Sequence, residues 1–197
     1  MPPCYSRRRA PSKLWFVIVR AVLGVVVGVG LLASAAVGTW PSNSPDTASL
    51  VPRPADAQPM VVREVLSGDT VVLVNERLGP QVPGSGLVTA RLIGIDSPNF
   101  GLMNECFAIE AQGRLRDLLP KGSIAWVATD SLRRDANGRW LMYVWGADGR
   151  LANYLMAVDG YVRVESTPPN TRLDEVLTEA ERKARAQFGG MWSMCLD

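Results

Sequence analysis

The chain has 197 residues, 47% of them hydrophobic, with 21 Lys and Arg, 19 Asp and Glu and no histidine, which is room for one ordinary domain plus an extension. The missing histidine excludes Ser-His and Cys-His hydrolases, His-based zinc sites and histidine-dependent nucleases, so acid–base work falls to carboxylates, arginine or metal-bound water. Five of the 21 basic residues and none of the 19 acidic ones lie in the first 40 positions, leaving 16 against 19, a net of −3, beyond them; the pI near 8.5 thus belongs to the N-terminal segment and gives no support to nucleic-acid binding by a broad positive field.

Arg7, Arg8, Arg9, Lys13 and Arg20 precede 21–40, a run without a single charge. Such a run reads as a membrane-spanning helix or as the apolar part of an export signal, and its length favours the span, which takes roughly 20 apolar residues. Ala33-Ser34-Ala35-Ala36 would suit a signal peptidase. In both readings the basic side stays in the cytoplasm, so the remainder is expected outside, held at the cell membrane by a single pass or secreted. Ser6-Arg7-Arg8-Arg9 matches a twin-arginine signal poorly, and Cys4 lies ahead of the apolar run, where a bacterial lipidation cysteine would follow it. Cys106 and Cys195 fall in the exported part, where disulfides persist. Pairing them would close a loop of about 90 residues, worth about 4 kcal/mol in the chain-entropy model; the alternative is two buried free thiols.

Residues 41–59, with five prolines among Ser, Asn, Asp and Ala, read as an extended linker, and the folded domain as 60–197. Strands are expected over 60–66 and 70–75, joined at Ser67-Gly68-Asp69-Thr70 as a hairpin. A Gly/Pro-rich loop over 78–86 leads to a third strand over 87–95, stopped by Asp96-Ser97-Pro98. Phe107, Ala108, Ala111, Leu115, Leu118 and Leu119 are spaced for one buried helical face within 105–119, which ends at Pro120-Lys121-Gly122. Strands over 123–129 and 140–145 flank a polar turn at 133–139, a short helix covers 151–159, and a charged helix over 173–188 stops at Gly189-Gly190. This order predicts an α+β domain, a small closed sheet with helices on one side, for which a five-stranded barrel is the economical solution.

Asp69, Asp96 and Arg139 stand at strand ends beside turns. If the sheet closes, Asp69 and Asp96 approach one another, and two carboxylates at a rim repel unless a hard cation such as Ca²⁺ sits between them, with the Ser97 carbonyl as a further oxygen. Arg91 and Arg139 would then suit a phosphate, each offering a planar fork of donors. Against this, Arg91 with Asp96 also reads as a structural ion pair, and Gly68-Asp69 and Asp135-Ala136-Asn137-Gly138 as ordinary turns.

The order of Ser67-Gly68-Asp69-Thr70-Val71, Arg91-Leu92-Ile93-Gly94-Ile95-Asp96-Ser97-Pro98, Glu105-Cys106-Phe107 with Glu110-Ala111, Arg134-Asp135 with Gly138-Arg139, Asn153, Gly160-Tyr161 and the stretch 180–192 with Cys195 resembles the staphylococcal-nuclease-like (thermonuclease) family over about 61–195. The resemblance implies an OB-fold barrel with three helices. It implies Ca²⁺ held by Asp69, Asp96 and the Ser97 carbonyl, a scissile phosphate held by Arg91 and Arg139, and water attacking phosphorus to cleave DNA or RNA. It also implies that Cys106 and Cys195 pair, as a cysteine pair does in exported members.

One departure stands out: where the family has Asp-x-Pro-Glu, this chain has Asp96-Ser97-Pro98-Asn99, so the glutamate thought to activate the attacking water is an amide that orients water but cannot take its proton near neutral pH. Glu105 is expected to substitute only if the loop rearranges. Base stacking is thin as well, with Ala136-Asn137, Ser166 and Pro168 offering no ring. Arg133 and Arg134 could add phosphate contact or lie solvated, and Trp126, Trp140, Trp145 and Trp192 read as core or rim packing. Two functions follow from the sequence: a weakened Ca²⁺-dependent nuclease, or a nuclease-like OB domain that has lost catalysis and binds or scaffolds. DNA or RNA is the expected substrate, the membrane the expected contact of the N-terminal helix, and a monomer without a protein partner the expected state.

Overall fold

Buried and more exposed side chains alternate along the strands over 58–65 and 86–92, while those over 70–75 and 140–145 are almost wholly buried, and one sheet wraps around an apolar interior. The computed structural model describes residues 51–99 and 104–195; the expected membrane or signal segment over 1–40 lies outside them. The described residues fall within one compact unit. Strands β1 (Gln58–Val65), β2 (Thr70–Asn75) and β3 (Gly86–Leu92) form an antiparallel meander, followed by the two-residue β4 (Ile95–Asp96) and helix α1 (Ala108–Leu118). Then come β5 (Ile124–Ala128), β6 (Trp140–Trp145), α2 (Ala152–Val158), β7 (Arg163–Val164), α3 (Asp174–Ala186) and the single turn α4 (Met191–Met194). The barrel closes in the order β1-β2-β3-β6-β5, with β5 returning to β1 and β3 running parallel to β6. This is the expected five-stranded OB-type barrel with three helices, to which α4 adds a final turn.

The core runs from Val71, Leu73, Ala90 and Leu92 through Val127, Met142 and Val144 to Leu155 and Leu177. Every residue of β6 is buried, because the strand has the barrel interior on one face and covering structure on the other, which is why it reads as a continuous apolar run. Helix α1 buries Ala108, Ala111 and Leu115 and carries Glu110 in its first turn and Arg116 in its last, both placed favourably for the helix dipole.

Two boundaries differ from the sequence reading. The expected third strand over 87–95 is broken: Gly94 adopts φ +78°, a left-handed conformation that glycine tolerates best. β3 therefore ends at Leu92, and Ile95 and Asp96 pair instead with Val164 and Arg163 of β7. The expected linker also ends well before Pro59. Val51 is buried, its carbonyl accepts the Trp145 indole N–H at 3.0 Å, and the Arg53 guanidinium stacks 3.6 Å over Trp126. Proline and serine composition reports that such a segment cannot fold alone; a buried indole needing an acceptor supplies the reason for it to dock.

The expected hairpin, the helix ends to within three residues and the Cys106–Cys195 disulfide are all present, the last with a Cα–Cα distance of 5.9 Å. Asn153 takes a structural role. Fully buried on α2, it accepts from the Val144 N–H at 3.0 Å and donates to the Ile93 carbonyl at 2.9 Å, which pins the β3–β4 break to the rest of the barrel. Replacing Asn153 by Ala strands two buried backbone groups and is expected to lower unfolding free energy by about 2–5 kcal/mol, measured by denaturant titration; an unchanged midpoint would remove Asn153 as the anchor of that break.

Candidate active site

The tight turn between β1 and β2 delivers Asp69 to the rim of the barrel. A Cβ on Gly68 would stand 2.7 Å from the Ala111 Cβ and 2.8 Å from the Ser97 Cβ, so only glycine lets this turn press against both α1 and the segment after β4. Asp69 is buried and receives Ser67 Oγ and Thr70 Oγ1, each at 2.8 Å, and the Ser97 N–H at 2.7 Å. The Ser97 main chain is thereby fixed against Asp69.

Arg91 lies between the two aspartates. Its Nη1 is 3.0 Å from Asp69 Oδ2 and its Nη2 is 2.7 Å from Asp96 Oδ1, with side-chain exposures of 14% for Arg91, 8% for Asp69 and 44% for Asp96. Nη1 also donates to the Ile95 carbonyl at 2.5 Å. The expected approach of Asp69 and Asp96 thus occurs, with a guanidinium as the counter-charge. Burial pushes the Asp96 carboxyl above its ordinary range; Arg91 opposes this, while the negative charges of Asp69, Glu165 and Glu105 reinforce it.

This balance tests the expected cation. The acidic donors at the rim, Asp69 and Asp96, offer hard oxygens and share the single Arg91 guanidinium. Among the described residues no group of three or more His, Cys, Asp or Glu side chains converges as a metal site, so a cation at this rim would have two carboxylates and would need main-chain or water oxygens besides. Such a set fits a hard divalent cation such as Ca²⁺.

Arg139 precedes β6. The register Ala90↔Trp140 and Arg91↔Leu141 pairs β6 with the strand that carries Arg91, and Arg139 stands one residue ahead of that pairing. Its Nε donates to Asp135 Oδ2 at 2.7 Å, while Asp135 Oδ1 accepts from the Arg139 and Asn137 N–H groups, both at 2.9 Å. Burial raises the Asp135 carboxyl, but the hydrogen bonds and charge of Arg139, with the Asn137 N–H, outweigh it and hold the group below its ordinary range. A shallow groove of about 300 Å³ runs past Thr89, Asn137, Arg139 and Trp140. Arg134 stacks 4.1 Å over Trp140 and donates to the Gly138 carbonyl at 2.7 Å, so it braces the turn that presents Arg139.

The third part is the pair Asn99 and Glu105, which are in direct contact. Glu105 Oε2 accepts the Asn99 N–H at 2.9 Å, Oε1 accepts Nδ2 at 3.2 Å, and the Glu105 N–H donates to the Asn99 carbonyl at 3.0 Å. These Asn99 hydrogen bonds hold the exposed Glu105 carboxyl below its usual range. Glu105 lines a cleft of about 190 Å³ together with Asp96, Ser97, Arg163, Trp192 and the disulfide. Trp192 packs beneath Arg185 at 3.9 Å and Arg163 at 5.4 Å. No periodicity signals the Asn99–Glu105 contact, because it closes a loop; the Asp135–Arg139 pair did carry a signal in its four-residue spacing.

Residues 89–194 match the protein family described as Staphylococcal nuclease homologue. The chain is also similar to the thermonuclease of Staphylococcus intermedius, 25% identical over 136 residues covering 67% of this chain and 74% of that protein. The thermonuclease of Staphylococcus hyicus is 26% identical over 142 residues, covering 71% and 78%.

Two outcomes follow from these pairings. A carboxyl with a depressed folded pKa stabilises above its unfolded value, here about 3.8, and loses that stabilisation as pH falls through the folded pKa. Asp135→Asn should therefore be less stable than wild type near neutral pH, with the gap closing below about pH 4; a gap independent of pH would refute the charge pairing. Asn99→Glu alone sets a second carboxylate against Glu105, so its Tm at pH 7 should fall and be restored by adding Glu105→Gln, whereas an unchanged Tm for Asn99→Glu would argue against the contact.

Proposed function

Because the chain belongs to the Staphylococcal nuclease homologue family, we propose that it is an exported or membrane-anchored calcium-dependent nuclease that hydrolyses phosphodiester bonds in DNA or RNA. The observation that carries this reading is the convergence of Asp69 and Asp96 on Arg91, with Arg139 one residue ahead of the strand that pairs with β3. Two acidic oxygen donors and two arginine forks on neighbouring strands are what a phosphodiester and its counter-cation need, whereas a structural ion pair needs neither the second arginine nor the second carboxylate.

In this reading Asp69, Asp96 and the Ser97 carbonyl would hold Ca²⁺, which when bound offsets charge on the phosphoryl oxygens. Asp69 orders the Ser97 main chain through its N–H, so the turn, the β4 end and the carbonyl behave as one rigid unit. Arg91 and Arg139 bind and orient the phosphate, each giving up part of its contact with Asp69, Asp96 or Asp135 to do so. Charge that grows on the phosphoryl oxygens then meets donors already in place. Asn99 orients water but takes no proton, so a turnover relying on that position alone lacks the roughly 10²–10⁴-fold that a general base supplies.

A second reading, a catalytically inactive binding or scaffolding module, is favoured by that same amide. The two part cleanly on the full-length chain incubated with single-stranded DNA or RNA. A nuclease cleaves in Ca²⁺ and stops in EDTA, and Arg139→Ala, like Asp96→Asn, lowers the rate by about 10²–10³-fold. Binding without cleavage at any enzyme concentration establishes the module instead, and wild-type rates in Arg139→Ala overturn the assigned phosphate contact.

A further inference from the structure

Deepening the nuclease reading and resting on it, we propose that Glu105 is the general base of the reaction and Asn99 its positioning residue. Three observations bear on this. The Glu105 carboxylate is held by two donors of Asn99, N at 2.9 Å and Nδ2 at 3.2 Å, so the amide at the family's glutamate position presents a carboxylate instead of being one. Glu105 lines the same cleft as Asp96 and Ser97, two of the three residues assigned to the candidate cation. Its neighbour Cys106 is bonded to Cys195, so a covalent tie one residue away, together with the Glu105 N–H bond to the Asn99 carbonyl at 3.0 Å, removes much of the freedom that would make a loop carboxylate ineffective.

The step balances without any further reactant. A water molecule gives its proton to a Glu105 carboxylate oxygen as its lone pair forms the new P–O bond. The opposite ester P–O bond breaks, its electron pair leaves with the ester oxygen, and that oxygen takes a proton from solvent. Glu105 returns its proton to solvent, and the products are a phosphomonoester and an alcohol. Asn99 keeps the Glu105 carboxyl below its usual range, so the base is ionised throughout the neutral region, at some cost in basicity.

The test uses the full-length protein with Glu105→Gln, Glu105→Ala, Asn99→Ala and Arg139→Ala. It compares kcat and KM on a single-stranded DNA oligonucleotide in Ca²⁺, Ca²⁺ affinity by calorimetry, and Tm for each variant. Wild type should cleave, and Glu105→Gln should lose about 10²–10⁴-fold in kcat with KM, Ca²⁺ affinity and Tm unchanged. Formate should restore part of the activity of Glu105→Ala and none of that of Arg139→Ala, a rescue that a structural role for Glu105 does not provide. Asn99→Ala should lower kcat by less than Glu105→Gln. Wild-type kcat in Glu105→Gln, while wild type cleaves and Arg139→Ala does not, overturns the base and leaves the nuclease reading standing. Loss of activity together with Ca²⁺ affinity or Tm, without formate rescue, also overturns it, assigning Glu105 to the metal or the loop. Absence of Ca²⁺-dependent cleavage by wild type overturns both.

Discussion

The Arg91 guanidinium is the counter-charge on which the rim of this barrel depends, since Asp69 and Asp96 arrive there from different turns and meet through its two amino groups at 3.0 and 2.7 Å. Removing one member of a buried ion pair typically costs about 3–5 kcal/mol, because the remaining charge is left unpaired in a poor solvent. Asp69 is partly insured against this by the Ser67, Thr70 and Ser97 donors. Asp96 is more exposed and less well compensated, and it is the carboxyl whose proton affinity rises. The site is thus polarised: one aspartate is a fixed part of the scaffold, and the other is a charge in want of a partner.

The scaffold brings these groups together by three local devices. Gly68 allows the β1–β2 turn to touch α1 and Ser97. Gly94 breaks the strand after β3, so the chain carrying Asp96 leaves the barrel and pairs with β7. Asn153, buried on α2, holds the broken strand through the Ile93 carbonyl. Each device is a single residue whose substitution strains the backbone or orphans a buried group, and each serves a position rather than a reaction. Asn153, which takes its place among the residues of the family resemblance, owes that place to packing and hydrogen bonding.

The barrel was legible because its strands alternate and its helices end at glycine and proline, signals carried by each segment alone. What escaped was tertiary. Gly94 lies inside an apolar run and looks like an interruption a strand could tolerate, until the pairing of Ile95 with Val164 shows that the chain has changed sheets. The proline-rich start gave no hint that Trp145 would need the Val51 carbonyl. Arg91 read equally well as a phosphate ligand and as a structural counter-ion; it is paired with two aspartates at once, an arrangement that neither strand specifies by itself. The contact of Asn99 with Glu105 depends on loop closure across a stretch with no regular pattern, so the sequence places Glu105 at the approach to α1 without signalling its hydrogen bonds to Asn99.

Both arginines of the candidate site are committed to carboxylates, Arg91 to Asp69 and Asp96, Arg139 to Asp135. A phosphate competes for the same donors, and a guanidinium cannot serve both anions fully. Asp69 and Asp96 release Arg91 readily only when they find other positive charge, and an anion at Arg91 in turn leaves them wanting it. In the proposed nuclease reading, occupancy by a cation and by a phosphate would therefore be linked in free energy, each raising affinity for the other by the same factor. Asp135 imposes no such linkage, because its partners are the main chain and side chain of its own turn. The two arginines thus differ in what a phosphate would have to displace: two aspartates from separate turns at Arg91, and one aspartate of its own turn at Arg139.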